Sequence, residues 1–395
     1  MKKSNLLLAL LLAASVLAGC GRQVSEPAPE EDHRQEQTGG ERREEAIGQA
    51  QEEQEPATVS LVAVGDNIFH NTTLKAGKNG DGYDFTPFYT KIKPEIQQAD
   101  IAVINQEAPM AKEAEPSGYP RFNAPQSLAE DLVETGFNVI NQANNHGMDQ
   151  GAQAVYDTIA LWDTFAQRGI VMTGMYRDAE DRAKQRVLEK NGIRVGFLSY
   201  TYGTNGIPLP EDNPDLIAQI DREQMASELT ALSGICDCMV VILHWGQEYQ
   251  DAPGEEQQEL ARYLASLGAD VIIGHHPHVI QKAEWVETPE GKRAFCAYSL
   301  GNFISSQDKP STMLGGLLKL TIQKDRDGAV TVENPGVRPI VTYYPKGWSE
   351  FQVYPLEEYD NSLAENHYVA GCTKEFFEQR AKEQFGEFLL YTPLE

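Results

Sequence analysis

An α/β fold is what this sequence predicts, and three observations carry the expectation. Short apolar runs alternate with longer helix-like segments through most of the chain. Several helix-like segments stop at a glycine, namely Gly136, Gly169, Gly192 and Gly268, and a glycine just past a helix is the usual left-handed stop. The apolar runs are continuous rather than alternating, so both of their faces should be buried, as in parallel strands between helix layers.

In chain order, strands are expected at 59–64, 101–104, 139–141, 195–200, 239–243, 271–273 and 295–298. Helices are expected at 126–134, 151–167, 179–190, 222–232 and 255–267. After Leu314 the character changes. Segments 316–324 and 329–333 read as a hairpin around Asp325-Arg326-Asp327-Gly328. A further strand is expected at 338–344 and a terminal helix at 373–385. The sequence shows no internal repeat.

The amino-terminal region predicts a destination. Lys2 and Lys3 precede an apolar run from Leu6 to Leu17, followed by Leu17-Ala18-Gly19-Cys20. That is a secretory signal with a lipobox at its cleavage site; the run is shorter than the roughly 20 residues of a membrane span. The plainer alternative is an ordinary signal peptide with an incidental cysteine. In the lipoprotein reading residues 1–20 are the signal and Cys20 carries the lipid, which places the protein outside the cytoplasm, anchored to the cell membrane. Residues 21–56 are acidic and lack aromatic residues, so they read as a disordered tether, spanning on the order of 30–35 Å. One compact domain is expected beyond it: a catalytic-type part over 57–312 and a β-rich extension with a terminal helix over 313–395, packed on the same domain.

The formal net charge is −26, which argues against nucleic acid as a partner. Anionic substrates stay open, because a bound cation reverses the local field. Of the five cysteines, Cys20 belongs to the lipobox. Cys236, Cys238, Cys296 and Cys372 read as buried thiols, since their spacing suggests no disulfide framework.

The polar residues that follow the strands point to the chemistry. Gly65-Asp66-Asn67 follows the first, with His70 close by. Asn105-Gln106-Glu107 follows the second, and Asn141-Gln142-Ala143-Asn144-Asn145-His146-Gly147-Met148-Asp149 the third. Later strands lead into His244-Trp245-Gly246, Gly274-His275-His276-Pro277-His278 and Ser299-Leu300-Gly301-Asn302-Phe303. Ligand sites in open α/β sheets lie outside the carboxyl ends of strands. A single histidine after a strand is more often structural, but outside the tether six of the seven histidines fall in these segments and only His367 does not.

Asp66 and Glu107 offer anionic oxygen, Asn145 an amide oxygen, and His244, His276 and His278 neutral imidazole nitrogen. Asn67, His70 and Asn302 stand close enough in sequence to add donors. Such mixed N/O ligation without thiolate suits one or two ions of zinc, manganese or iron. Two ions about 3.5–4 Å apart can activate a water and clamp a phosphoryl transition state. His146 and Asp149, three residues apart, form a candidate catalytic pair in which the carboxylate orients a general acid; the plainer role for Asp149 is to cap the following helix. Trp245 and Tyr249 either wall a substrate or pack their own loop.

Taken together these motifs, with His244-Trp245-Gly246-x-Glu248-Tyr249 and Gly274-x-His276-Pro277-His278-Val279-x-Gln281, resemble the bacterial capsule-synthesis proteins of the CapA/PgsA type over about 58–310. That resemblance implies kinship with calcineurin-like metallophosphoesterases and hence a layered α/β sandwich with strands between helix layers. It also implies a two-metal set of Asp66, Glu107, Asn145, His244, His276 and His278, and similarity of Asn145 to Asp149 to the catalytic segment of secreted 5′-nucleotidases. The usual Asp-x-His motif is interrupted by Ile68, the bridging carboxylate is a glutamate, and Asn144 stands where a glycine is usual. Either His70 reaches back, or one metal is weakly held. His275 ranks below its neighbours as a residue that faces away.

The resemblance further implies a role in the synthesis or export of poly-γ-glutamate or capsular polymer, alongside other synthase or export subunits. Three functional classes follow: a metal-dependent hydrolase of a phosphoester or related bond, a non-hydrolytic binder of an anionic polymer, or amide chemistry on that polymer.

Overall fold

A computed structural model describes residues 56–348 and 350–392. The signal, lipobox and nearly all of the tether expected at 1–56 lie outside the described residues. Among those described, no helix is long and apolar enough to cross a membrane.

Among the described residues sixteen strands form the frame. They are β1 (Ala57–Asn67), β2 (Lys78–Asn79), β3 (Gly82–Tyr83), β4 (Ile101–Gln106), β5 (Val139–Asn141), β6 (Val171–Thr173), β7 (Val187–Lys190) and β8 (Ile193–Thr201), then β9 (Cys238–His244), β10 (Val271–His275), β11 (Ala283–Glu287), β12 (Arg293–Ala297), β13 (Asn302–Ile304), β14 (Leu314–Lys324), β15 (Val330–Tyr343) and β16 (Gln352–Pro355). One sheet runs β16-β15-β14-β1-β4-β5-β6, with β13 pairing the end of β1. A second runs β11-β12-β10-β9-β8-β7. Strands β1, β4, β5 and β6 are mutually parallel, and so are β8, β9, β10 and β12.

The apolar runs sort by alternate residues. In β9, Val240 and Ile242 join a core shared with β1 and β4, whereas Met239, Val241 and Leu243 join a second core. That second core is closed by Met225, Leu229 and Leu232 of helix Arg222–Ser233 and by Leu260, Ala261 and Leu264 of helix Glu255–Ser266. The other sheet is covered by helix Ser127–Thr135, whose Leu128, Ala129 and Leu132 pack beside Phe85 and Phe88. Continuous hydrophobicity thus serves two faces at once, as burial on both sides requires. The result is two sheets between helices.

One expected element is replaced. Residues 179–190 do not form a single helix: helix Ala179–Ala183 stops and β7 follows, pairing antiparallel with β8. Gly192 is therefore not a helix stop. Asn191 (φ 51°) and Gly192 (φ 77°) are both left-handed, as a two-residue hairpin turn demands. The strands expected at 329–333 and 338–344 are one strand, β15, whose pairing with β14 shifts register between Lys319 and Thr321. Strands β2, β3, β6, β11, β13 and β16 add to those expected.

The β-rich carboxyl-terminal part is continuous with the first sheet, because β14 pairs along β1 from Ala57 to Val64. Helix Lys374–Phe385 buries Phe377, Ala381 and Phe385 in the same core. The four described cysteines are free; Cys238, Cys296 and Cys372 are buried and Cys236 half-buried.

Candidate metal centre

Strands β1 and β4 of one sheet and β9 and β10 of the other end at a common place. Two glycines permit the approach. A Cβ on Gly65 would lie 2.0 Å from the Gly301 carbonyl oxygen, and one on Gly274 would lie 1.9 Å from that of Tyr298. These distances are impossible for a side chain, so Gly65 and Gly274 set the position of Asp66 and of the histidines after β10. His276 (φ 96°) and His278 (φ 58°) are left-handed. Such strain costs of order 1–3 kcal/mol per residue and persists where the surroundings over-determine it.

Asp66, Glu107 and His278 converge, with candidate ligand atoms all within 4.8 Å of one another. His278 Nδ1 lies 3.1 Å from Asp66 Oδ2 and its Nε2 lies 3.7 Å from Glu107 Oε1. His244 Nε2 is 3.9 Å from the same Glu107 oxygen and 2.9 Å from Asn145 Oδ1. His276 joins through its ring, 4.8 Å from that of His244, and its backbone N–H donates to Asp66 Oδ2 at 3.2 Å. The six expected ligands therefore meet in one buried cluster.

The electrostatics of the cluster fit a cation. Both carboxylate oxygens of Glu107 are buried without a hydrogen-bond partner, as are Nδ1 of His244 and Nδ1 of His276. A buried carboxylate without a hydrogen bond is costly. Burial pushes the Glu107 carboxyl well above its usual range, and the charge of Asp66 adds to this against the pull of His278. Burial would also raise Asp66, but hydrogen bonds with His275 and His278 overcome it and hold Asp66 well below its usual range. His278 would be lowered by burial, yet Glu107 and Asp66 raise it to about 9. Burial lowers His244 far below its usual value and His276 to about 3, leaving neutral imidazoles, the form that ligates metal. A divalent ion would reverse the penalty on Glu107.

The remaining expected donors are committed elsewhere. Asn67 donates to Gln106 Oε1 at 2.8 Å and accepts from the Tyr89 hydroxyl at 3.2 Å. Asn302 accepts from His278 Nδ1 at 3.0 Å and donates to the Thr312 carbonyl at 2.9 Å, so it orients an imidazole in the way that partners of metal-binding histidines do. His70 accepts from the Ser306 N–H at 3.4 Å, and Ile68 is buried in the apolar core. His275 does not face away: its Nδ1 lies 3.3 Å from Asp66 Oδ1.

His146 and Asp149 stand beside the cluster. Nδ1 and Oδ2 are 2.7 Å apart, and the same oxygen accepts the Phe122 N–H at 2.8 Å. Asp149 does not cap the following helix Gly151–Asp163, whose cap residue is Gln150. Trp245 is buried, donating to the Tyr298 carbonyl at 2.9 Å. Tyr249 is partly exposed, its ring 6.2 Å from that of His278.

Four contributors lie outside the expected site set: Asn105 and Asn141, which the sequence shows only as strand-end polar residues, and Asn205 and Tyr202. Asn105 donates to Asp66 Oδ1 at 2.7 Å, and Asn141 donates to Asn105 at 2.7 Å. Asn205 accepts from Asn145 at 3.1 Å, and Tyr202 lays its ring 4.6 Å from that of His276. Tyr202 and Asn205 follow β8, so they obey the same rule as the other site residues, polar groups just beyond the carboxyl end of a central strand.

A family model described as bacterial capsule synthesis protein PGA_cap matches residues 60–307. The chain is 30% identical over 248 residues to the PGA biosynthesis protein CapA of Bacillus subtilis (strain 168), covering 61% of this chain and 62% of that protein. It is 30% identical over 263 residues to the capsule biosynthesis protein CapA of Bacillus anthracis, covering 63% and 60%. The matches thus span less than two thirds of either relative. Among solved structures, a 5′-nucleotidase precursor from Thermus thermophilus is similar at 18% identity and a TM-score of 0.44, covering 72% of this chain and 54% of that one, a likeness too low to carry an argument. The matched stretch holds every residue of the buried cluster, from Asp66 to Asn302, and on that match the chain belongs to the bacterial capsule synthesis protein family PGA_cap.

Proposed function

We propose that this protein is an extracytoplasmic lipoprotein, anchored through Cys20, that performs metal-dependent hydrolysis of a phosphoester or related bond in capsule or poly-γ-glutamate synthesis. The observation that supports it most is Glu107, a fully buried carboxylate whose oxygens have no hydrogen-bond partner and face His244 and His278. Asp66, Glu107, Asn145, His244, His276 and His278 would hold one or two ions of manganese, zinc or iron. When bound, these supply Lewis-acid charge and an acidified water.

The chain's own residues do the rest. Asp149, acceptor-only when ionised, accepts a hydrogen bond from His146 Nδ1–H and fixes the ring. That leaves Nε2 to deliver a proton to a departing oxygen. Phe122 holds both partners: its N–H binds Asp149 and its ring packs edge-on against His146 at 4.7 Å. Asn205, which accepts from Asn145 at 3.1 Å and has its amide nitrogen 3.3 Å from His146 Nδ1, ties this pair to the ligand set.

A second reading, non-hydrolytic grip on an anionic polymer within a synthase or export assembly, draws on Ile68, which is buried in the core where a ligand would be needed. The deciding experiment is joint. The chain is purified without chelator, its metals are counted, and it is offered p-nitrophenyl phosphomonoesters and diesters and poly-γ-glutamate with added Mn²⁺ or Zn²⁺. Turnover that is lost in His146→Ala supports hydrolysis. Bound metal with no turnover on any of them moves the reading to polymer binding, and no bound metal removes both.

A further inference from the structure

Glu248 sits on the solvent side of the cluster and is not among the six ligands described above. Its carboxylate and the ring nitrogens of His276 and His278 offer one ligand atom each within 4.8 Å of one another. The position is built. The loop after β9 is fastened onto the loop after β10 by Trp245 N–H to the His275 carbonyl at 3.1 Å, Tyr249 N–H to the Pro277 carbonyl at 2.8 Å, and Gln281 Nε2 to the Gln250 carbonyl at 2.8 Å. Tyr249 takes a left-handed backbone (φ 63°) to make its bond. Glu248 is thereby held over the residues on either side of Pro277.

Two further observations point outward from the loop to a ligand. His276 is 3% exposed, and its Nδ1 has no partner. Among the described residues Glu248 forms no ion pair with a lysine or arginine, and the nearby Lys309 lies over the Tyr249 ring, 3.6 Å from its centre. Nitrogen and oxygen ligands about 2.0–2.2 Å from one ion lie within about 4.4 Å of each other. An exposed glutamate closes the remaining gap by a small side-chain rotation.

We propose that Glu248 is a direct cation ligand, completing with His276 and His278 a carboxylate–imidazole set at the mouth of the buried centre. The inference rests on the metal-centre reading above. It makes a cation held there solvent-facing and more readily exchanged than one held by Asp66 and Glu107, since its one carboxylate ligand is itself exposed.

The test uses the full chain, stripped of metal and titrated with Mn²⁺ alone, free Mn²⁺ being read by electron paramagnetic resonance. Glu248→Gln is expected to weaken one binding step tenfold or more. Glu248→Asp, which keeps the charge but withdraws it by one methylene, is expected to weaken the same step. An unchanged isotherm in Glu248→Gln, or full affinity in Glu248→Asp, overturns direct ligation and leaves the buried centre standing, provided that Glu107→Gln still loses Mn²⁺. A native chain that binds no Mn²⁺ overturns the metal-centre reading and this inference with it.

Discussion

His146 Nδ1 lies 2.7 Å from Asp149 Oδ2, and that oxygen also receives the Phe122 backbone N–H. One carboxylate oxygen therefore fixes both an imidazole and the segment packed against it. His146→Ala is expected to lower turnover about 10²–10⁴-fold, the range for a lost general acid, while metal content and the unfolding midpoint stay near native. Asp149→Asn should cost less turnover than His146→Ala, since the ring remains. Phosphoester assays beside elemental analysis check this; native turnover in His146→Ala would remove its role.

Glu107 makes a different prediction, because its penalty is electrostatic. Replacing it with glutamine removes a buried charge at almost constant volume. The native chain should gain thermal stability on adding Mn²⁺ or Zn²⁺, about 2.7 kcal/mol at a hundredfold excess over the dissociation constant. Glu107→Gln should lose most of that gain and be no less stable than the native chain in chelator. Asp66→Ala should also lower metal content. Thermal melts with and without chelator read both effects.

The glycines at the strand ends are tests of geometry. Gly274→Ala would place a Cβ 1.9 Å from the Tyr298 carbonyl and 2.6 Å from Trp245 Nε1. Backbone and a buried indole cannot give way cheaply, so a loss of about 3 kcal/mol or more is expected. Gly328→Ala meets nothing within 4 Å and should cost only its left-handed backbone (φ 86°), about 1 kcal/mol. Urea denaturation midpoints distinguish the two.

Asp131 predicts a pH dependence away from the metal centre. Its carboxyl is raised to about 6 by burial, opposed by the Phe85 N–H and reinforced by Asp84, Glu134 and Glu130. The folded state therefore binds this proton more tightly than the unfolded chain does. The contribution is present at low pH and is lost as pH rises through about 6. Asp131→Asn keeps an acceptor for Phe85 and removes the charge. It should be more stable than the native chain above pH 6, by about 1 kcal/mol once solvent screening of a half-buried group is counted. The difference should shrink toward pH 4; an equal difference at both pH values would discount the titration.

Helix–strand alternation and the polar groups at strand ends were readable without coordinates, because they depend on local order along the chain. Continuous apolar runs demanded two buried faces. Asp66, Glu107, Asn145, His244, His276 and His278 each fall in the polar stretch that follows an apolar run, so the donor set could be read as a list. Which strand belonged to which sheet could not. Nothing local tells Val240 from Val241, yet one faces the shared core and the other the outer helices.

The tertiary structure also decided the residues between the ligands. Asn105, Asn141, Asn205 and Glu248 matter through partners far along the chain, and His275 turns toward Asp66 only because β10 and β1 lie in facing sheets. Asn191-Gly192 could end a helix or turn a hairpin, and pairing of β7 with β8 chose the hairpin. By itself the sequence determined the fold class, the donor types and their order. Their distances, burial and unsatisfied charge came from packing two sheets whose strand ends converge, a free energy that depends on contacts between distant segments and leaves no local mark.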